Sequence, residues 1–220
     1  MTYSEQLKHV NSVRLPLIIA VVFIHVQTVC EPHSADWWMI KVLGEEIGRI
    51  GVPLFFAISG MLFFNSFSSE DCLSTIMLQG GAKLKRRINS LLVPYILWNM
   101  IQFIFMLSIG RVVIGDLLNA FWNMWSDGHW FFPVNGTLWF LRELFIVSIL
   151  FPFPLLVVRY VKPLIGLPVL ALISVLLDYK CVLPGTYNAF IYFTIGAYVG
   201  YYKIVILDLC RNYRVLWSVL

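Results

Sequence analysis

The segment RLPLIIAVVFIH, Arg14–His25, places ten consecutive apolar residues between an arginine and a histidine. The next residues, VQTVC, continue this largely apolar run to Cys30. About 20 mostly apolar residues are long enough to cross the hydrocarbon core of a bilayer as a helix. The segment therefore predicts a transmembrane helix over Val13–Cys30, with an ionisable side chain inside it.

The composition of the whole chain supports a membrane protein. Of its 220 residues, 60% are hydrophobic and only 13% are charged, whereas soluble domains are about half apolar and a quarter charged. We expect an all-α bundle of about six transmembrane spans plus a truncated seventh, forming one domain over residues 1–220. Further spans are predicted at Ile50–Phe64 extended backwards by a few residues, Ile88–Ile109, Leu138–Val158, Val161–Leu177 and Asn188–Leu207, with the seventh beginning near Val215.

The distribution of positive charge predicts the orientation, because Lys and Arg accumulate in short cytoplasmic loops. If the spans alternate from a cytoplasmic N-terminus, eleven of the 16 basic residues fall on the cytoplasmic side. Four of them, Lys83, Lys85, Arg86 and Arg87, lie in the predicted loop between the second and third spans. The net charge of +4 then reflects topology, and we expect no nucleic-acid partner.

Arg14 and His25 share one face of the predicted first helix. Eleven helical residues advance about 16 Å and turn about 20° past three full turns, so the arginine lies at the cytoplasmic rim and the histidine lies deep in the span. An ionisable residue at such depth usually faces a bundle interior or a wet cavity. The alternative is a neutral histidine that only forms a hydrogen bond between helices.

A second polar cluster, GTLWFLRELF, lies at Gly136–Phe145. Trp139 and Glu143 are one helical turn apart and share a face, and Glu143 is predicted at about the same depth as His25. Two arrangements remain open, a contact between His25 and Glu143 or neutralisation of Glu143 by the adjacent Arg142.

Other segments indicate a cavity or a binding surface. GVPLFFAISG, Gly51–Gly60, is a helix interrupted by proline and glycine with a hydroxyl at Ser59, and broken helices are tolerated at membrane depth where they line cavities. The tryptophan-rich loops Glu31–Arg49 and Ile114–Gly136 are consistent with amphipathic helices in the headgroup layer. The alternative for these loops is an aromatic platform for a sugar.

Taken in order, the Arg14–His25 pair, RIGVPLFFAISGMLF, KLKRRINSLLVPYILWN, LWFLRELF and IYFTIGAYVGYY resemble membrane-bound acyltransferase family 3 over most of the chain. The resemblance implies transfer of an acyl group, usually acetyl, from cytoplasmic acyl-CoA to a hydroxyl of an extracytoplasmic carbohydrate. The implied acceptor is a polysaccharide or its lipid-linked precursor, and the implied location is the bacterial inner membrane. Family members are longer, so we expect this chain to lack their last spans. Its WFLRE also departs from the W-S-L-x-V-E form of another branch, which leaves the substrate open.

The resemblance also implies roles for individual residues. His25 is the expected general base, since its reference pKa lies near working pH, and Glu143 is expected to orient it. The acyl-CoA phosphates are expected to bind Arg14, Lys85, Arg86 and Arg87, although positive-inside topology alone also explains the last three. Residues expected to line the cavity or contact substrate are Ser59, Gly60, Trp139 and Arg142. We expect no metal and no permanently bound cofactor, with acetyl-CoA as co-substrate.

Two other functions remain open. A chain without the last spans is also consistent with an inactive membrane scaffold or binding subunit. Intramembrane charges and broken helices are also features of transporters, so a transporter component is the third alternative.

Overall fold

A computed structural model describes residues 2–24, 38, 41–42, 49–122, 133–180 and 185–206. Throughout these ranges the regular elements are helical, which confirms the all-α prediction for this part of the chain. The α-helices are α1 (Tyr3–Ile24), α2 (Arg49–Phe64), α3 (Leu73–Arg87), α4 (Val93–Ser108), α5 (Leu117–Trp122), α6 (Trp139–Ile149), α7 (Pro152–Tyr160), α8 (Pro163–Lys180) and α9 (Gly185–Tyr201).

Helix α1 begins ten residues before the predicted first span. Thr2 and Glu5 form a capping box, in which the Thr2 amide donates to Glu5 Oε2 (2.7 Å) and the Glu5 amide donates to Thr2 Oγ1 (3.3 Å). These bonds satisfy backbone donors that the helix leaves unpaired at its start. The bond from the Thr2 amide lowers the pKa of Glu5. The polar N-terminal segment is therefore helical together with the apolar segment that follows it.

Helices α3 and α4 form one continuous helical stretch of 36 residues, Leu73–Ser108. The π-helix Ile88–Leu92 joins them, and the Val93 amide donates to the Ile88 carbonyl five residues earlier. The change of register comes just before Pro94, which has no amide hydrogen to donate. The prediction of a loop at Lys83–Arg87 is therefore wrong, because Lys and Arg are good helix formers and no proline interrupts the segment.

The number of membrane spans stays a prediction. Among the described residues one helix, Leu73–Ser108, is long and apolar enough to cross a bilayer. The pair Gly136–Ile149 and Pro152–Tyr160 passes the same test if it is taken as one span bent by 59°. The bend divides the predicted fourth span, because Pro152 and Pro154 cannot donate the backbone hydrogen bonds that would continue α6.

The described helices form two compact units. The first contains α1, α2, most of α7, the start of α8 and most of α9, and the second contains α3 to α6 with the end of α8 and the start of α9. Phenylalanines form the core of the first unit, where the Phe193 ring lies 6.0 Å from Phe63 and 6.1 Å from Phe64 between centroids. All three side chains are almost completely buried.

Close backbone contact between α2 and α9 depends on glycines. A Cβ atom on Gly60 would overlap the backbone of Phe193, and Cβ atoms on Gly196 and Gly200 would overlap the backbones of Ala57 and Met61. Gly196 and Gly200 are four residues apart, the small-residue spacing that lets membrane helices approach closely. Gly60 lies in this helix contact, and its predicted role in lining a cavity stays a prediction.

Candidate active site

Glu143 is a buried carboxylate of the second unit. Its side chain is 2% exposed, and Arg142 Nε and Nη2 lie 3.0 and 2.8 Å from its Oε1. Consecutive helical residues point about 100° apart, so the arginine side chain must fold back to reach its neighbour. The sequence left two arrangements open for Glu143. Among the described residues the structure shows one of them, the ion pair with Arg142.

The end of α5 holds the Arg142 guanidinium from the other side. Arg142 Nη1 donates to the Trp122 carbonyl at 2.6 Å, and the guanidinium carbon lies 5.2 Å from the centre of the Trp122 ring. Trp122 is the last described residue of α5, and its carbonyl oxygen accepts a charge-assisted hydrogen bond from the guanidinium. A cation is therefore favoured at this position by a hydrogen bond and by the aromatic ring.

Two side chains of α4 fix the segment that carries Trp122. The Tyr95 hydroxyl donates to the Phe121 carbonyl. Asn99 is fully buried and accepts a hydrogen bond from the Asn135 amide at 3.1 Å. Helix α5 and residues 133–135 are also joined directly, because the Val134 amide donates to the Ala120 carbonyl at 2.7 Å. Tyr95 and Asn99 therefore support Trp122, and Trp122 in turn supports the Arg142–Glu143 pair.

An apolar cavity of about 550 Å³ lies beside this ion pair. Its walls are formed by residues between Leu92 and Met100, by Phe121 and Trp122, and by residues between Leu141 and Ile149. Among the described residues that line it, Arg142 carries the one charge, and Arg142 is paired with Glu143. The cavity suits a hydrocarbon group, because apolar cavities offer water no hydrogen-bond partners.

The predicted phosphate-binding cations do not all have the same surroundings. Lys85 and Arg86 are exposed, whereas Arg87 is half-buried and its Nη1 donates to the hydroxyl of Ser148. Ser148 is fully buried in α6, where its hydroxyl donates to the Leu144 carbonyl at 2.5 Å. Arg87 thus links the end of α3 to the helix that carries Glu143.

The remaining predicted site residues are Trp139, Ser59, Arg14 and His25. Trp139, the first residue of α6, is half-buried, and Ser59 is half-buried within α2 of the first unit. Arg14 lies in α1, but its side chain and the whole of His25 are outside the described residues. The Arg14–His25 pair and the contact between His25 and Glu143 therefore stay predictions.

Sequence reasoning missed Trp122, Tyr95, Asn99 and Ser148. Asn99 and Ser148 carried a usable signal, since a polar side chain within a long apolar helix usually faces the protein interior. Trp122 carried none for this role, because the carbonyl that it contributes belongs to the backbone.

Comparison with known proteins identifies the chain. The model of the acyltransferase domain of acyltransferase family 3 matches residues 8–220. The succinoglycan biosynthesis protein ExoH of Rhizobium meliloti (strain 1021) is 32% identical over 172 residues, which cover 69% of this chain and 43% of the relative. The chain thus matches less than half the length of that protein. No solved structure matches. Because the family model covers nearly the whole chain, the chain belongs to acyltransferase family 3.

Proposed function

We propose that the protein transfers an acyl group, acetyl in the first instance, from cytoplasmic acyl-CoA to a hydroxyl of an extracytoplasmic carbohydrate. Family membership supports acyl transfer. The name of the relative, a succinoglycan biosynthesis protein, supports a glycan acceptor. The reaction places the protein in a bacterial inner membrane with its N-terminus in the cytoplasm, in accord with the predicted distribution of Lys and Arg.

The single observation that links this proposal to particular residues is the burial of Glu143 beside the cavity. A buried carboxylate that is held by an arginine is costly to place in a membrane helix and is commonly functional. The contacts from Arg142, Trp122 and Tyr95 give the carboxylate a supported position, as a catalytic group requires.

The chemical step needs one base and one leaving group. The acceptor hydroxyl oxygen attacks the thioester carbonyl carbon, and His25 takes the hydroxyl proton. The tetrahedral intermediate then collapses, the carbon–sulfur bond breaks, and CoA leaves as a thiolate that takes the proton from His25. Glu143 orients the imidazole and stabilises its protonated form, as the acid of a catalytic triad does.

The acyl-CoA head is assigned to cations at the cytoplasmic side. Arg14 is proposed to bind phosphate through its planar guanidinium, which pairs with two phosphate oxygens. Lys85 and Arg86 are exposed at the end of α3 and are proposed to add charge there. Arg87 is proposed to contribute from its position beside Ser148.

The test is acyl transfer from radiolabelled acetyl-CoA to a lipid-linked or polymeric glycan by the protein in proteoliposomes. We expect His25→Ala and Glu143→Gln each to lower the rate by at least roughly a hundredfold, which is the lower end of the usual contribution of general acid–base catalysis to a rate. Glu70→Gln, at an exposed glutamate, is the matched control and should leave the rate unchanged. Full activity of both site variants would contradict the assigned roles, and no transfer by the wild type would contradict the function.

A further inference from the structure

We propose that the apolar cavity binds the hydrocarbon chain of a membrane lipid that carries the acceptor carbohydrate. The inference rests on the proposed function and narrows its substrate class. The preferred acceptor is then a lipid-linked saccharide that reaches the site from the bilayer, ahead of the finished polymer.

The lining of the cavity, which follows two helices, suits a chain that lies along them. One wall extends from Leu92 to Met100 and another from Leu141 to Ile149, and eight residues of helix correspond to about 12 Å. The volume of about 550 Å³ is within the range of small-molecule sites. A sugar ring or a phosphate would find almost no hydrogen-bond partners along these walls, whereas a hydrocarbon chain needs none.

The surroundings of the cavity favour a ligand that comes from the lipid phase. Its lining residues Ile96 and Ile149 are 43% and 47% exposed. On α4 the exposed apolar surface continues from Ile96 to Leu97 and Ile101. A hydrophobic helix face of this kind contacts lipid when the helix spans a bilayer. A lipid chain can enter from that side without crossing water.

The polar end of the cavity is where the saccharide would lie. Arg142 and Trp122 are at this end, and Ile149 is seven residues, or about 10 Å, further along α6. The Arg142 charge is balanced by Glu143, so the wall gives no strong preference for an anion inside the cavity. The exposed indole of Trp122 offers an aromatic surface for a sugar. A chain seated in the cavity therefore brings its attached hydroxyl groups towards Glu143.

Kinetics with two acceptors test this inference. One acceptor is a saccharide linked to a polyprenyl diphosphate, and the other is the same saccharide without lipid. Ile96→Trp narrows the cavity, and Ile104→Trp places the same side chain at an exposed position of α4 that does not line it. We expect Ile96→Trp to raise KM for the lipid-linked acceptor by at least roughly tenfold. If two methylene groups of the lipid chain are no longer buried, the lost binding free energy is enough for a change of that size. KM for the free saccharide should not change, and Ile104→Trp should change neither.

A binding measurement keeps the test independent of turnover. The same lipid-linked saccharide with a diazirine in its chain should crosslink to residues 92–100 and 141–149, and Ile96→Trp should reduce this labelling. A phospholipid with a diazirine in its acyl chain measures ordinary lipid contact. Equal labelling by the two probes, or an equal effect of Ile96→Trp on both acceptors, would overturn the inference while the proposed function stands. Specific labelling without any acyl transfer would instead overturn the function.

Discussion

Replacing Gly196 by alanine tests the contact between α2 and α9 directly. A Cβ atom at this position would lie 2.6 Å from the Ala57 carbonyl carbon and 2.9 Å from its Cα, and it would overlap the carbonyl oxygen. Ordinary van der Waals contact begins at 3.4 Å. The two helix backbones would therefore have to separate by about 0.8 Å or more. The overlapping atoms of Ala57 belong to the backbone, so they cannot rotate away as the end of a side chain could.

The magnitude follows from two opposing effects. Overpacking a well-packed interior costs about 1–3 kcal/mol, while alanine in place of glycine stabilises a helix by about 0.5–1 kcal/mol. We expect Gly196→Ala to lower the free energy of unfolding by about 1–2 kcal/mol overall. The separation of the helices would also disturb the adjacent aromatic core of Phe63, Phe64 and Phe193.

The assay is unfolding of the purified protein in detergent micelles, followed by circular dichroism. Gly81→Ala is the matched control, because Gly81 also lies in a helix but a Cβ atom there would have no heavy atom within 4 Å. This variant should be as stable as the wild type or more stable by up to about 1 kcal/mol. Equal stability of Gly196→Ala and Gly81→Ala would refute the proposed close contact.

Two further predictions concern the charged residues. Arg142→Ala leaves the buried Glu143 carboxylate without its ion-pair partner and should destabilise the protein by about 3–5 kcal/mol. Arg111→Ala, at an exposed arginine, should have little effect in the same unfolding experiment, and similar stability of the two variants would exclude an important role for the pair. Arg14→Lys keeps the positive charge and should insert normally, but it should weaken acetyl-CoA binding by about 1–2 kcal/mol through loss of a charge-assisted hydrogen bond. Calorimetry in detergent with wild type, Arg14→Lys and Arg14→Ala measures this effect, and equal affinities would restrict Arg14 to a role in topology.

Helix content was readily predicted from the sequence, but the helix boundaries were not. Apolar runs predicted α2, α4 and α6. Such a run indicates a helix buried in lipid or protein, and it can be recognised from the composition of a short window of sequence. The stretch Lys83–Arg87 was interpreted as a loop because hydropathy treats charges as the end of a span. Backbone hydrogen bonds continue through lysine and arginine without a break, so the helix extends across them.

The candidate site shows the same division between local and long-range information. Glu143 was identified because a carboxylate in an apolar helix is unusual whatever surrounds it. Two partners were predicted for it, Arg142 and the distant His25, and the sequence left the choice open because both are chemically suitable. The backbone carbonyl of Trp122, 20 residues away from Arg142, is part of the observed arrangement.

The sequence alone therefore determined the helical class, the family resemblance and the residues able to carry charge within apolar helices. These depend on residue type, on local spacing and on the order of motifs along the chain. Only the tertiary structure decided that Arg142 pairs with Glu143, that Gly60 serves helix packing, and that an apolar cavity adjoins the ion pair. The glycine contact and the cavity need atoms from elements far apart in the chain, whereas the Arg142–Glu143 pair depends on how one side chain folds back onto its neighbour. Neither hydropathy nor residue spacing records these positions.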